Sequence, residues 1–317
     1  MGKILVIGAG GQLGTELTKT LADQYGTQSI IASDFQEAVK SKFSYCDFRT
    51  LNVMNKSELE IIVEQEEITQ IYHLAAILSA AGEKNPLQAW DLNMGGLLNV
   101  LEVARAYKIE KVFWPSSIAV FGPSSEKECT PQNAFKDPNT IYGISKLSGE
   151  HWCEYYYNKY GVDVRSVRYP GLIGYKSLPG GGTTDYAVDI YHKAMSGENF
   201  TCFLNEHTYL PMMYMDDAIN ATLQLMEAPK EKITIRTSYN IAGLSFSPAE
   251  IYQSILKHYP NFKMEYHSDF RQAIADSWPN SIDDSVAKAD WNWTPKFDLD
   301  TMTSAIITNL PAYFKFK

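Results

Sequence analysis

Tyr142 and Lys146, four residues apart in Tyr142-Gly143-Ile144-Ser145-Lys146, open a stretch of helical periodicity and so share one face. A free phenol, with a pKa near ~10, is a poor base at neutral pH, and an ammonium beside it favours the phenolate. Twenty-five residues earlier, Ser117 closes a strand-like run and can hydrogen-bond a reacting oxygen; Ser116 competes for that role. Together these side chains can take a proton from a hydroxyl. A Tyr and a Lys at this spacing, taken alone, are as readily an exposed helix face.

What precedes them gives the pair its meaning. Gly8-Ala9-Gly10-Gly11-Gln12-Leu13-Gly14 follows the apolar run Lys3–Ile7 and leads into Gln12–Tyr25, where Leu13, Leu17 and Leu21 recur at helical spacing. Glycines there let the backbone turn tightly against a pyrophosphate, and the helix start at Gln12 and Leu13 offers free N–H groups. A GxGxxG frame fails because Leu13 takes its third glycine; GxxGxxG fits at Gly8, Gly11 and Gly14. Asp34, 20 residues beyond Gly14, ends the second strand. A carboxylate there accepts from adenosine ribose hydroxyls and repels a 2′-phosphate. No Arg or Lys adjoins it, so the expected cofactor is NAD, whose positive nicotinamide would further favour a Tyr142 phenolate.

The elements that must position these groups alternate. Ser29–Ala32 and Ser44–Cys46 precede Lys56–Glu67; Ile71–Leu74 leads into Leu87–Tyr107, and Lys111–Trp114 through a loop into Ile141–Tyr160 and Val164–Tyr169. Strand and helix in turn predict an α/β chain, a Rossmann-type doubly wound parallel sheet covered on both faces. The second half is less regular. The expected division is a dinucleotide-binding domain over 1–174, to which the chain returns around 211–242, and a smaller C-terminal substrate lobe from 175–210 and 243–317.

Composition narrows the field. Of 317 residues 45% are apolar, and 28 Lys and Arg against 37 Asp and Glu leave a net charge of −9. An acidic chain without a basic block argues against a nucleic-acid binder, and no apolar run approaches the ~20 residues of a membrane span. A strand-like run from Lys3 leaves no room for a leader peptide. Cys46, Cys129, Cys153 and Cys202 lie far apart, and the six His form no HxxH or HxxxH pair, so no metal site is expected. A cytoplasmic enzyme is the expectation.

The Gly loop, Asp47-Phe48, His73-Leu74-Ala75-Ala76, Asn93, Ser117–Gly122 and YGISK together resemble the extended short-chain dehydrogenase/reductase superfamily, which includes the nucleotide-sugar epimerases. The resemblance implies that Asp47 and Phe48 contact adenine and that Leu74, Ala75, Ala76 and Asn93 lie beside the cofactor, as do Tyr169 and Pro170. It favours Ser117 over Ser116, with Tyr142 and Lys146 completing a catalytic trio and Lys146 holding the nicotinamide ribose. His73 reads as packing at a strand end.

Ser79–Pro86, Arg168–Ile173, Gly180–Ala187 (GGGTTDYA), Leu210–Ile219 and Ser277–Ser285 are similar to the short-chain type of L-threonine 3-dehydrogenase. That likeness implies NAD-linked oxidation of L-threonine to 2-amino-3-oxobutanoate. Ser79 and Thr184 are candidate partners of the substrate carboxylate, Asp185 of its ammonium, and Trp278 of its apolar side. Asp185 reads equally as a helix-start cap, and Trp278 as core. Gly180–Gly182 reads as a mobile loop that closes over the substrate. Family analogy implies a homodimer through Leu87–Tyr107 and Ile141–Tyr160. The alternatives are a nucleotide-sugar epimerase or dehydratase and a non-catalytic NAD-binding regulator.

Overall fold

In the computed structural model, residues 2–314 are described. The first half runs β1 (Lys3–Ile7), α1 (Gln12–Tyr25), β2 (Ile30–Asp34), β3 (Asp47–Thr50), α2 (Lys56–Gln65), β4 (Ile68–His73), the single turn α3 (Ser79–Gly82), α4 (Pro86–Ala106), β5 (Lys111–Phe113), β6 (Ser116–Ser117) and α5 (Ile141–Tyr160). Then follow β7 (Val164–Arg165), β8 (Val167–Tyr169), β9 (Gly171–Ile173), α6 (Tyr186–Ser196), β10 (Phe200–Cys202), β11 (Leu210–Tyr214) and α7 (Met215–Glu227). The chain ends with β12 (Tyr239–Asn240), β13 (Leu244–Phe246), α8 (Pro248–Leu256), β14 (Met264–Tyr266), α9 (Arg271–Ser277), α10 (Ser285–Trp291) and α11 (Leu299–Phe314).

Six strands form one sheet in the order β3-β2-β1-β4-β5-β7, every pair parallel. β2 is buried at every residue, as a strand covered on both faces must be. One face packs Leu59, Ile62 and Val63 of α2 with Leu97, Val100 and Leu101 of α4 and Cys153 of α5. The other packs Leu17 and Leu21 of α1 against Ala218, Ala221 and Leu225 of α7. The doubly wound α/β expectation is met. Winding runs outward from β1 to β3, then reverses from β4 to β7, so a crevice opens between β1 and β4 at the strands' C-terminal ends.

Smaller sheets extend this frame. β8 pairs in parallel with β6 and β12, while β11 pairs with β9 and, antiparallel, with β13. A further core gathers Ile190 of α6, Ile251 and Ile255 of α8, Ile274 of α9, and Met302 and Ile306 of α11. It stands beside the crevice.

The sequence reading ends the third strand at Cys46; β3 instead starts at Asp47, aligned with Ile31 of β2. α5 begins where the Thr140 hydroxyl accepts the Gly143 N–H at 3.1 Å, and it stops at Gly161 in the left-handed region. Thr140 is buried. A Thr140→Ala substitution is expected to cost about 1 kcal/mol of stability, read as a lowered urea midpoint with an unchanged slope.

Candidate functional site

The crevice is a cleft of about 1100 Å³. Its floor is the turn from β1 into α1. Gly8 has φ +80°, and a Cβ there would lie 2.7 Å from the Ala75 nitrogen; one on Gly14 would lie 2.4 Å from the Gly8 carbonyl. Both positions exclude side chains. Gly11 has only the Gly8 carbonyl nearby, at 3.6 Å, and faces the open cleft. Gln12 and Leu13 line the cleft at the first turn of α1, which carries no acid and no side-chain cap. Such a cradle of undischarged N–H groups suits a pyrophosphate.

Asp34 ends β2 facing the cleft. Its Oδ2 accepts the Gly10 N–H at 3.0 Å and its Oδ1 the Gln36 N–H at 3.0 Å, which fixes the carboxylate at the ribose end. Gly10, missed in the sequence reading, also matters: a Cβ would sit 2.9 Å from Asp34 Oδ2 and would displace that carboxylate. No cation adjoins Asp34 in sequence, yet the fold brings Lys42 Nζ to 3.2 Å from the Gly10 carbonyl.

Leu74, Ala75 and Ala76 line the cleft, as do Tyr169 and Pro170. The Tyr169 hydroxyl is engaged by Thr222 and the Ala218 carbonyl, so it offers its ring rather than its oxygen. Two expectations are corrected. Asp47 and Phe48 do not line the cleft: they start β3, roughly 10 Å upstream of its C-terminal rim at ~3.3 Å per residue. Leu51, Asn52 and Val53, just past that rim, line it instead. Phe48 stacks on Phe43. Asn93 lies beneath the cleft wall, its Oδ1 accepting the Ile77 N–H at 2.8 Å and its Nδ2 donating to the Ile77 carbonyl at 3.1 Å. It shapes the loop after β4 and has no free amide to offer.

Ser117, Tyr142 and Lys146 converge on the cleft from β6 and α5. Ser116 Oγ donates to Glu150 Oε1 at 2.6 Å and is spent there. Burial pushes the Tyr142 phenol up to about 12, against a hydrogen bond with the Ser117 hydroxyl that pulls it down. Lys146 Nζ donates to the Pro115 carbonyl at 2.6 Å and sits 4.5 Å from the Trp114 ring centroid and 5.5 Å from that of Tyr142. Burial draws it down to about 7, opposed by Cys153 and Glu150. The sequence reading expects the ammonium to acidify the phenol; in the protein itself desolvation of both groups is the larger influence. His73, buried beside them with neither ring nitrogen bonded, is pushed down to about 3 by burial and then by Lys146.

The opposite wall carries the hydroxyls. Ser79 Oγ lies 3.2 Å from Thr183 Oγ1, and Ser79, Thr183 and Thr184 all face the cleft. Thr183 was missed because nothing in the sequence separates it from its neighbour. Asp185 also lines the cleft, but its Oδ2 accepts the Gly181 and Gly182 N–H groups at 2.7 and 2.8 Å. It anchors the glycine loop and does not cap α6. The loop is also held by Gln12 Nε2, which donates to the Leu178 carbonyl at 3.0 Å. Trp278 closes one side, with its indole N–H buried and unbonded.

Residues 4–242 match the NAD dependent epimerase/dehydratase family. An uncharacterized epimerase/dehydratase of Staphylococcus haemolyticus is 48% identical, covering 97% of each chain. Among solved structures, the holo form of an L-threonine dehydrogenase from Cupriavidus necator is 55% identical with TM-score 0.95, covering 97% of this chain and 99% of its own. The L-threonine dehydrogenase of Clostridium difficile is 47% identical with TM-score 0.94, covering 98% of each. This chain belongs to the NAD dependent epimerase/dehydratase family. Within that family it is an NAD-dependent dehydrogenase of the extended short-chain type.

The glycine contacts make a direct prediction. A Gly14→Ala protein should stay folded by circular dichroism yet bind NADH at least about tenfold more weakly, because the turn must open to admit the methyl. Fluorescence titration of NADH measures this; unchanged affinity would remove the turn from cofactor binding.

Proposed function

We propose that the protein oxidises the 3-hydroxyl of L-threonine with NAD, giving 2-amino-3-oxobutanoate. The observation that carries the reading is the charge of the cleft wall. Lys146 is the one Lys or Arg among the described residues that line it, and the substrate side is built from Ser79, Thr183 and Thr184. A nucleotide-sugar carries a diphosphate that calls for Arg or Lys. A small zwitterion is met by hydroxyl and backbone donors. The likeness to L-threonine dehydrogenases over almost the whole chain supports the same choice.

In this reading the turn at Gly8–Gly14 and Asp34 hold the dinucleotide, and Leu74–Ala76 with Tyr169 and Pro170 form its wall. The bound dinucleotide supplies the hydride acceptor. Ser117 donates to the substrate oxygen and orients it, and Tyr142 Oη takes the hydroxyl proton as the carbon is oxidised. Lys146, beside the phenol, favours its ionised form and binds the ribose. Ser79 and Thr184 hold the carboxylate, Trp278 covers the methyl side, and the glycine loop shields the reaction from water. Asp185 supports that loop from behind.

Because the buried Tyr142 starts from about 12 and Lys146 from about 7, threonine oxidation should quicken as pH rises toward neutrality, as the base loses its proton, and should level off above it, where loss of the Lys146 charge offsets the gain. Tyr142→Phe is expected to lower kcat by about 10²-fold or more while NADH affinity stays within a few fold. The deciding assay follows NADH formation with L-threonine, D-threonine, L-allo-threonine, L-serine and UDP-glucose. Selective response to L-threonine is the expected result; activity on UDP-glucose alone would replace the reading with nucleotide-sugar chemistry.

We also propose a homodimer through α4 and α5. Ile144, Trp152 and Tyr155 recur on one exposed face of α5, with Tyr107 just beyond α4. Light scattering should give twice the chain mass, and Trp152→Glu should return it to the monomer value. Four free cysteines fit a reducing, cytoplasmic setting. No helix among the described residues is long and apolar enough to cross a membrane.

A further inference from the structure

Glu150 lies one helical turn beyond Lys146 on α5, with its side chain 1% exposed. A carboxylate taken out of water must have its oxygens satisfied. Oε1 accepts Ser116 Oγ at 2.6 Å and Arg168 Nε at 2.9 Å, and Oε2 accepts Arg168 Nη2 at 2.8 Å. Arg168 Nη1 in turn donates to the Gln132 carbonyl at 3.0 Å and Asn240 Oδ1 at 2.9 Å. The partners are significant by position. Ser116 precedes Ser117, Arg168 precedes Tyr169 and Pro170, and Glu150 shares its helix with Tyr142 and Lys146. Ser116 and Arg168 also face each other across the β6–β8 pair. One carboxylate thus joins the three segments that bring the reacting groups together.

It is also well placed to act on charge. Facing Lys146 are Tyr142, Glu150 and Cys153 of its own helix and His73 of β4, with the Trp114 ring and Pro115 carbonyl before β6. Arg168 of β8 and Lys136 of the loop before α5 lie beyond Glu150. Burial leaves Tyr142 and Cys153 protonated and His73 uncharged near neutrality. Glu150, whose two oxygens accept from Arg168, is therefore the carboxylate acting on Lys146 among these neighbours, and burial draws Lys146 down to about 7, where a small push changes its charge.

We propose that Glu150 is a positioning residue of the dehydrogenase reaction, its buried carboxylate keeping Lys146 charged and Ser117 in register with Tyr142. This deepens the reading of the site as a Ser–Tyr–Lys dehydrogenase and rests on it. The test is a titration of Lys146 by ¹⁵N-lysine NMR in protein without dinucleotide, the resonance being assigned by its loss in Lys146→Met. In Glu150→Gln the midpoint should fall, by on the order of one pH unit, and the pH at which kcat stops rising should move the same way. Glu150→Asp, which keeps the charge, should hold the midpoint near that of the wild type. Arg168→Met leaves the carboxylate uncompensated and should move the midpoint upward, so either charge variant that folds decides. Ser116→Ala should slow turnover without moving the midpoint. An unmoved midpoint and pH profile, with only a lower Tm, would make Glu150 a structural strut and overturn the proposal. A failure to oxidise L-threonine would instead sink the substrate reading alone, since the titration uses neither substrate nor dinucleotide.

Discussion

The site depends on one constraint of chain winding: the reversal between β1 and β4. Parallel strands leave their C-terminal ends on one edge, and a reversal of winding keeps neighbouring crossovers from filling the gap between them. Gly8 and Gly14 follow β1, Asp34 ends β2, Leu51–Val53 follow β3 and Leu74–Ala76 follow β4. All arrive at that edge without a long loop. The gap is also why Gly8 cannot be another residue, since the turn after β1 presses on the turn after β4 at Ala75. A side chain there would separate the two strands whose divergence makes the cleft.

Burial sets the electrostatics of what stands in the gap. Tyr142 and Lys146 are both desolvated, and each is pushed toward its neutral form. Near neutrality the phenol keeps its proton while Lys146 stands close to its midpoint, so a modest added charge decides how much of the ammonium survives. The buried Glu150–Arg168 pair stands one helical turn beyond Lys146, out of contact with solvent. A buried ion pair contributes little net stability against a well-packed apolar pair. A role in register and charge gives a physical reason for placing one here.

Periodicity and punctuation made most of the frame legible. The glycine turn, Asp34 at a strand end, and Tyr142 and Lys146 one turn apart each carry their chemistry in residue type and spacing, whereas only the family resemblance separated Ser117 from Ser116. What was illegible depends on contacts distant in sequence. Gly10 matters because Asp34 reaches back to it, and Lys42 approaches the same turn through a short helix. Asn52 and Val53 were hidden by a strand boundary, because β3 starts at Asp47, where the apolar run Ser44–Cys46 has already ended. Asn93 was placed beside the cofactor by analogy, although its amide is used up on Ile77. Its residue type was informative and its direction was not. Thr183 and Glu150 carry no local signal at all, since each acts through a partner far along the chain.

The substrate wall shows how specificity can come from what is withheld. Hydroxyls at Ser79, Thr183 and Thr184 can each donate or accept, so they adapt to a small polar group at low desolvation cost. A guanidinium at any of these places would bind a phosphate more strongly and would leave a buried, unpaired charge when the ligand is small. Asp185 turns its Oδ2 to the backbone N–H groups of Gly181 and Gly182 and so serves the loop. Apart from Asp185 the polar side chains of this wall are hydroxyls, and the other end of the cleft carries the free N–H groups of a helix start. Under the proposed threonine reading, the two ends of one cavity divide the work, N–H donors at a helix start serving the dinucleotide and side-chain hydroxyls the zwitterion.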